Sequence, residues 1–386
     1  MIPYGRQNVT QADIDAVVAV LRSDFLTQGP AVAQFEQAVA STVGARHAVA
    51  VNSATSALHV ACMALGLGKG DRLWTVPNTF VASANCGRYC GADVDFVDID
   101  PFTWNLSVPA LRQKLERAKR ERLLPTVLVP VHFSGQPTDQ EEIWDLAQTY
   151  GFKVLEDASH AIGASRHGEP VGNCRWSDIT VFSFHPVKIV TSGEGGMALT
   201  NDGKLAERMV MLRSNGTTRD AGRLRRQDPP PWYYEQQLLG FNYRLTDIHA
   251  ALGVSQLRRL EENVARRNAL AGRYAIALAD LPLQLPTVRA ENRSAFHLYV
   301  VRLKTDTGAK TQRQVMSELR QRGVGVNLHY QPVHLQPYYR ELGFAEGQYP
   351  CAEAYANDAF TLPLYSELTD LMQDEVVRCV RLSLER

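Results

Sequence analysis

The stretch SFHPVKIVTSGEGG, residues 183–196, places a lone lysine, Lys188, between two short apolar runs. Residues 179–182 precede it and residues 197–200 follow it, and both runs have the length and composition of buried strands. Glycines at the end of the stretch allow the backbone to turn tightly. A lysine confined there loses the water that stabilises its charge, so its pKa falls and its amine becomes nucleophilic. A solvated loop lysine is the alternative interpretation, and the stretch alone leaves both open.

Strand and helix patterns alternate through the first half of the chain. Several strands are apolar throughout, which predicts a mainly parallel sheet covered by helices on both faces. Ligands bind such sheets beyond the carboxyl ends of the strands. Three polar features follow strands in this way: the turn that begins at Asn52, the turn that carries Phe80, and Asp157. The predicted strands are 47–51, 72–76, 94–99, 126–131 and 153–155.

Length and pattern predict two domains. The chain has 386 residues, which exceeds the usual size of a single hydrophobic core. A long helix is predicted from Asp247 to about residue 274, and a boundary within it gives a large domain of residues 1–255 and a small domain of residues 256–386. The small domain is predicted to be α/β, because its pattern is strand, helix, strand, helix, at residues 297–303, 311–322, 324–328 and 368–385.

Composition and charge are those of an ordinary globular protein. Lys plus Arg and Asp plus Glu number 41 each, and this neutrality argues against nucleic acid or an anionic membrane as the main partner. No run reaches the roughly 18 apolar residues of a membrane helix, and the start of the chain does not resemble a signal peptide. The six cysteines lack metal-ligand spacing. We therefore expect buried thiols, no metal and a cytoplasmic location.

An aldehyde cofactor with a phosphate and an aromatic nitrogen would use these features together. Lys188 would bond to the aldehyde carbon, and Asp157 would keep the ring nitrogen protonated, which makes the ring an electron sink. Phe80 would cover one face of the ring. Such a cofactor is pyridoxal 5'-phosphate (PLP). Its phosphate would be held by Ala54 and Thr55 at a helix N-terminus and by Ser183 at a strand end. The alternative interpretation of the helix N-terminus is plain N-capping by Ser53 or Thr55, which needs no ligand.

Six motifs occur in an order that indicates one enzyme family. They are LTQG (26–29), NSATSAL (52–58), EDASHA (156–161), SFHPVK with GEGG (183–196), GFNYR (240–244) and HYQP (329–332). In these motifs, and over nearly its whole length, the chain resembles the DegT/DnrJ/StrS family of PLP-dependent sugar-nucleotide aminotransferases. The resemblance implies PLP-dependent transferase fold type I, which is aspartate aminotransferase-like, in a homodimer with shared active sites.

The resemblance also implies roles for matching positions. Lys188 is implied to bond to PLP and then to carry the transferred proton, and Asp157 is implied to pair with the pyridinium. Asn242 is implied to reach the phosphate of the cofactor in the partner subunit. The nucleotide-sugar substrate is implied to contact Thr27, Gly29, His185, His329 and Tyr330.

Two departures from the family pattern bear on the substrate. Most of the family has Gln where this chain has His160, which would lie near the 3-hydroxyl of PLP. This feature is similar to the branch that acts in pseudaminic acid biosynthesis, as is the run LHYQPV (328–333). That branch uses L-glutamate to aminate C4 of UDP-2-acetamido-2,6-dideoxy-β-L-arabino-hex-4-ulose. Many relatives have His where this chain has Asn215, a difference that the sequence does not explain.

The sequence leaves several other functions open. The chain could aminate a different sugar, at C3 or on a dTDP carrier. A PLP-dependent dehydratase is disfavoured, because those relatives replace the lysine with His and Lys188 is present. A non-catalytic PLP-binding protein and a plain α/β binding module are further alternatives. The basic loop 219–226 could meet phosphate or could be solvated.

Overall fold

The computed structural model describes residues 1–304 and 310–385. Its helices are α1 (Gln11–Leu21), α2 (Pro30–Val43), α3 (Ala54–Ala64), α4 (Ala82–Tyr89), α5 (Val108–Glu121), α6 (Gln140–Tyr150), α7 (Gly203–Arg213), α8 (Asp247–Leu257), α9 (Leu260–Ala277), α10 (Gln312–Gln321), α11 (Pro337–Glu341), α12 (Pro350–Asp358) and α13 (Asp370–Leu384). Its strands are β1 (His47–Val51), β2 (Arg72–Thr75), β3 (Asp93–Phe96), β4 (Val127–Val129), β5 (Lys153–Asp157), β6 (Ser165–Arg166), β7 (Glu169–Pro170), β8 (Ile179–Ser183), β9 (Gly196–Thr200), β10 (Thr217–Thr218), β11 (Glu235–Gln236), β12 (Leu283–Gln284), β13 (Asn292–Arg293), β14 (Tyr299–Leu303) and β15 (Ala359–Leu362).

The main sheet has seven strands in the order β1-β9-β8-β5-β4-β2-β3. Strands β8, β5, β4, β2 and β3 are parallel, whereas β9 is antiparallel to both of its neighbours. The predicted mainly parallel sheet is confirmed. The reversal at β9 has a local cause, because residues 184–195 join β8 to β9 without a crossover helix. Lys188 lies in that connection.

The central strands send alternate side chains into two hydrophobic cores, because successive residues of a strand point to opposite faces. In β8, Val181 packs on one side and Phe182 on the other. In β9, Ala198 and Met197 divide in the same way. Helices α3, α5, α6 and α7 cover the first face, and α2, α8 and the start of α9 cover the second. This arrangement makes the strands apolar throughout, as the sequence indicated.

Helix α5 illustrates how local sequence sets these elements. The Ser107 side chain caps the helix by accepting a hydrogen bond from the Ala110 amide at 3.3 Å. Leu111, Leu115 and Ala118 are buried and lie on one helical face. The basic residues at its C-terminal end face solvent, where they complement the helix dipole.

The C-terminal part contains a three-stranded sheet in the order β12-β14-β15. The strand predicted at 324–328 is wrong, since this segment makes only single bridges, from Val324 to Ile2 and from Asn327 to Thr361. The N-terminal segment lies against it, and the Gly325 amide donates to the Ile2 carbonyl at 2.7 Å. Strand β15, which the sequence pattern did not predict, pairs with β14 instead.

The predicted long helix is two helices, since α8 ends at Leu257 and α9 begins at Leu260. Side chains at the start of α9, such as Val264, pack in the core beside the main sheet, whereas Leu270 and Tyr274 pack in the C-terminal core. The division into residues 1–255 and 256–386 stays a prediction, and residues 305–309 and 386 lie outside the described residues. No helix in the described ranges has the length and apolar character needed to cross a bilayer.

Candidate active site

A cavity of about 460 Å³ opens at the carboxyl ends of β5 and β8. Asp157 is the last residue of β5 and Ser183 is the last residue of β8, so the parallel strands deliver both to the same edge of the sheet. Residues near the C-terminal strands, including His297, also line the cavity. Of the predicted site residues, the cavity brings together Ala54, Thr55, Phe80, Asp157, His160, Ser183, His185, Lys188, His329 and Tyr330.

Lys188 reaches the cavity from the connection between β8 and β9. Its Nζ lies 3.4 Å from Nε2 of His297. Burial of the amine lowers the pKa of Lys188 to about 8, and the negative charge of Asp157 opposes this fall. A lysine with this pKa is partly neutral near physiological pH, so its lone pair is available as a nucleophile.

Asp157 presents an oriented carboxylate to the same cavity. Its Oδ1 accepts a hydrogen bond from the Ser159 amide at 3.1 Å, and its Oδ2 accepts one from the Ser83 hydroxyl at 2.6 Å. The side chain is 5% exposed. A buried carboxylate held by two donors is well placed to pair with a cationic ring nitrogen.

The N-terminus of α3 forms another wall of the cavity. Ser53 caps the helix by accepting from the Ser56 amide at 3.1 Å, which leaves the amides of Ala54 and Thr55 in the first turn, where no earlier helical carbonyl faces them. Strand β9 approaches this turn closely, because a Cβ at Gly196 would lie 2.4 Å from the Ala54 nitrogen. The site therefore offers amides and a positive helix end to an anion.

His160 also lines the cavity, as a neutral imidazole. Its Nδ1 lies 3.3 Å from the amide nitrogen of Ser134, and since an amide only donates, Nδ1 accepts and the proton sits on Nε2. Nε2 lies 3.1 Å from the hydroxyl of Tyr330. Burial, aided by the positive charge of Lys188, lowers the pKa of His160 well below its ordinary value, and His329 would add repulsion if it were protonated.

His329 and Phe80 complete this part of the cavity. Nδ1 of His329 lies 2.7 Å from Oγ1 of Thr361, and burial, with the charge of Lys188, lowers the pKa of His329 to about 4. Phe80 is 58% exposed, and its ring centroid lies 6.2 Å from that of Tyr330. An exposed aromatic ring at a cavity mouth is available to stack on a bound ring.

Three predicted site residues lie outside the cavity lining. Thr27 forms a single bridge with Thr246, and the Gly29 amide donates to Oδ2 of Asp247 at 2.8 Å. These contacts join the start of α2 to the start of α8. Asn242 is exposed and pairs through its backbone with Ser214.

The basic loop has internal partners for several of its polar groups. The Glu235 carboxylate accepts hydrogen bonds from the amides of Arg225 and Arg226, at 2.9 Å and 2.8 Å. Arg223 lies 2.9 Å from Glu207 and so forms an ion pair. The loop is therefore held against β11, which pairs with β10 in a short hairpin, and against α7.

A model of the DegT/DnrJ/EryC1/StrS aminotransferase family matches residues 7–381. The chain belongs to this family. It is 38% identical over 383 residues to the spore coat polysaccharide biosynthesis protein SpsC of Bacillus subtilis, which covers 98% of this chain and 96% of SpsC.

Solved structures of family proteins cover the same length. Spr1654 from Streptococcus pneumoniae, in its PMP form, superposes with a TM-score of 0.89 at 27% identity, over 99% of both chains. Helicobacter pylori PseC, an aminotransferase involved in the biosynthesis of pseudoaminic acid, superposes with a TM-score of 0.88 at 28% identity, over 99% of both chains. Fold type I is thus confirmed, and the protein is a PLP-dependent sugar aminotransferase.

The chemistry of the cavity fits PLP. When bound, this cofactor supplies an electron sink for bonds that break at the α-carbon of an amino acid. The cavity offers a buried amine for the aldehyde of PLP, an oriented carboxylate for its ring nitrogen and a helix N-terminus for its phosphate. Among the described residues, no group of three or more His, Cys, Asp or Glu side chains is arranged to hold a metal ion.

Sequence reasoning missed two residues of this site. Ser83 lies in α4, and the helical pattern of the sequence does not indicate that it contacts the site. Its small polar side chain is fully buried against Asp157. His297 precedes β14 and is 5% exposed. Its signal was a histidine at the start of an otherwise apolar strand pattern, which also suits an ordinary buried histidine.

Proposed function

We propose that this family member transfers the amino group of L-glutamate to the C4 ketone of a UDP-linked 4-keto-6-deoxy-N-acetylhexosamine. The substrate is UDP-2-acetamido-2,6-dideoxy-β-L-arabino-hex-4-ulose, and the product is the 4-amino sugar nucleotide for pseudaminic acid synthesis. The observation that carries this proposal is His160, which lines the cavity beside Tyr330 where most of the family has Gln. Similarity to PseC over 99% of both chains supports it.

The proposed cofactor site uses the groups described above. Lys188 would supply the amine, Asp157 would face the ring nitrogen, and Phe80 would cover the ring. His160 would lie beside the 3-hydroxyl. The phosphate would be held at the N-terminus of α3 and at the end of β8, with help from a second subunit, by Ala54, Thr55, Ser183 and Asn242.

In the proposed reaction Lys188 is the proton carrier. Its Nζ takes the proton from the α-carbon of glutamate and holds it until the proton is delivered to the second carbon that accepts it. A pKa of about 8 suits both tasks, because the amine can accept the proton and release it near neutral pH. Asp157 remains a fixed negative charge throughout, oriented by Ser83.

The proposed sugar-binding residues line the same cavity. They are His185, His329 and Tyr330, and imidazole and phenol side chains can hydrogen-bond sugar hydroxyls. Thr27 and Gly29 lie outside this lining, so we assign them to the nucleotide of a substrate that extends beyond the cavity or to a site completed by a second subunit.

We further propose that the protein is a homodimer with shared active sites. Asn242 is exposed and lies outside the cavity of its own chain, which is expected of a residue that serves a partner. Large apolar side chains are also exposed, as at a surface that another protein covers. They include Phe25, Leu26, Trp232 and Leu239, which are 53%, 47%, 77% and 77% exposed.

The proposed compartment is the cytoplasm. All six cysteines are free, and four of them are buried. Free thiols in this number are typical of proteins kept in a reducing compartment.

A second candidate is amination of a different nucleotide sugar, at C3 or C4 and on a UDP or dTDP carrier. The 38% identity to SpsC, a spore coat polysaccharide biosynthesis protein, exceeds the 28% identity to PseC and favours this second candidate. The test is incubation of the enzyme and glutamate with a panel of keto-sugar nucleotides, followed by NMR of the products. Amination at C4 of the UDP-L-arabino ketone supports the first proposal, and selective turnover of another ketone overturns it.

A further inference from the structure

The imidazole of His297 lies within hydrogen-bonding distance of the reacting amine of Lys188. Nε2 of His297 lies 3.4 Å from Nζ. Nδ1 of the same ring is buried and has no partner among them. A buried polar atom without a partner is costly, so the position of His297 is held by other contacts of its segment.

The protonation of the pair follows from the chemistry of the two groups. A lysine ammonium has three donors and no acceptor, so the Nε2 that faces it must accept. The proton of the neutral imidazole is then on Nδ1, which is the unpartnered nitrogen. We propose that His297 is a further catalytic residue, whose Nε2 accepts a hydrogen bond from Nζ of Lys188 and so steers the proton that this amine carries. The inference rests on the proposed role of Lys188.

A buried arginine side chain holds the segment that carries His297. Arg267 is 3% exposed, and its Nη1 lies 3.2 Å from the Phe296 carbonyl oxygen, 3.3 Å from that of His297 and 2.9 Å from that of Leu364. Phe296 adopts a left-handed φ of 43°. Such backbone conformations persist where surrounding contacts hold them, and they concentrate at functional sites.

The loop after β4 supports the segment from the other side. A Cβ at Gly135 would lie 2.9 Å from the Phe296 nitrogen and 3.0 Å from the His297 nitrogen, so only glycine permits this approach. The Ala295 amide donates to the Gly135 carbonyl at 2.9 Å, and the Ser134 hydroxyl donates to the Leu298 carbonyl at 2.6 Å. The imidazole position is therefore fixed by backbone contacts on both sides.

The charges that face His297 keep it neutral. Burial, and with it the positive charges of Lys188 and Arg267, lowers the pKa of His297 well below the ordinary value, and His160 and His329 would add repulsion if they were protonated. The imidazole therefore does not compete for the proton, and Nζ keeps it. Asp157, which faces Lys188 from β5, is the opposing negative charge. A neutral acceptor can orient the ammonium without taking its proton.

The matched variants are His297→Gln and His297→Met. The two side chains have similar length, and only Gln keeps a strong acceptor near the Nε2 position. In the enzyme stripped of PLP, trace acetic anhydride labels amines in proportion to their neutral fraction. Peptide mass spectrometry against pH then gives the midpoint for Lys188, with the 56% exposed Lys153 as internal standard.

Loss of the acceptor removes a hydrogen bond that stabilises the ammonium. We expect the Lys188 midpoint to fall by about one pH unit in His297→Met and to stay within about 0.3 unit of wild type in His297→Gln. Equal midpoints in the two variants overturn the proposal. If His297→Met does not fold, imidazole ¹⁵N NMR of the wild-type protein decides, with the His297 signal assigned from His297→Gln. A proton on Nε2 rather than Nδ1 overturns the proposal.

The loaded enzyme provides a separate readout. In single turnovers with glutamate, we expect His297→Met to slow proton transfer about tenfold, to raise the isotope effect of α-deuterated glutamate and to leave the KM for the keto sugar unchanged. His297→Gln should recover most of the rate. A wild-type enzyme that shows no reaction with glutamate contradicts the proposed function, whereas the labelling midpoints still test the hydrogen bond.

Discussion

The hydroxyl of Ser83 lies 2.6 Å from Oδ2 of Asp157, the carboxylate proposed to face the ring nitrogen of PLP. Ser83 is fully buried, and its Oγ also lies 2.7 Å from Oγ1 of Thr79. The Ser83 hydroxyl thus orients the carboxylate, and Thr79 contacts that hydroxyl in turn. These contacts join α4 and the residues before it to the carboxylate that we propose pairs with the cofactor.

Replacing Ser83 with Ala should weaken PLP binding by about tenfold or more, because a hydrogen bond to a charged group contributes about 1.5 kcal/mol or more. The measurement is equilibrium binding of PLP to the cofactor-free protein, followed by absorbance. Thr75→Val is the matched control, since it removes a buried hydroxyl that donates to the Val129 carbonyl in the same sheet, away from the cavity. Equal PLP affinities in the two variants would contradict the orienting role of Ser83.

The lowered pKa of Lys188 predicts how capture of PLP depends on pH. The neutral amine attacks the aldehyde, so below a midpoint of about 8 the rate should rise about tenfold per pH unit, and above it the rate should level off. Stopped-flow absorbance of PLP added to the stripped enzyme measures the rate. Lys188→Ala should retain non-covalent binding, lose the absorption band of the lysine-bound cofactor and show no turnover. A capture midpoint near the ordinary lysine value would show that burial does not control this amine.

The sequence predicted the site best where chemistry follows a strand. Asp157 and Ser183 line one cavity, as expected, because a parallel sheet delivers the ends of its strands to one edge, and Lys188 joins them from the connection that follows Ser183. The N-terminus of α3 was found for the same reason. These are local features whose position in space follows from the sheet alone.

Residues placed by long-range contacts escaped prediction. His297 is 109 residues from Lys188, and its position depends on Arg267 and on the close approach permitted by Gly135. The segment 324–328 has the pattern of a strand. However, it forms only single bridges, one of them between Val324 and Ile2. Periodicity shows which side chains are buried, but it does not show which distant segment buries them.

Gly196→Ala should damage the phosphate site through the backbone. The added Cβ would lie 2.4 Å from the Ala54 nitrogen and 2.4 Å from the Ser53 carbonyl carbon, so β9 or the first turn of α3 must move. We expect a loss of about 1–3 kcal/mol in the free energy of unfolding and a larger relative loss in PLP affinity. Thermal unfolding with and without PLP measures both.

The control for Gly196→Ala is Gly203→Ala at the start of α7. There an added Cβ would meet its nearest neighbour, Nε2 of His47, at an ordinary 3.5 Å. This variant should keep its PLP affinity and unfold near the wild-type temperature. If Gly196→Ala binds PLP as well as Gly203→Ala does, the close approach of β9 is not what positions the α3 amides.

The proposed sharing of active sites predicts complementation between two inactive variants. Lys188→Ala removes the amine of its own cavity, whereas Asn242→Asp places a negative charge beside the phosphate in the cavity of the partner. In a mixed dimer, one cavity then combines Lys188 from one chain with Asn242 from the other. Refolding the two variants together in equal amounts should restore about a quarter of wild-type activity, because half of the symmetric dimers are mixed and each has one intact site.

The same mixture distinguishes a shared site from a self-contained one. If Asn242 served the cavity of its own chain, both cavities of the mixed dimer would carry a substitution and activity would stay at background. Lys188→Ala mixed with His160→Ala provides the control, because both positions line the cavity of one chain and no combination of them restores a site. Sedimentation velocity on each sample confirms that dimers form. Recovery with Asn242→Asp and none with His160→Ala assigns Asn242 to the partner's site. If both mixtures stay inactive in samples confirmed as dimers, Asn242 does not complete the partner's site.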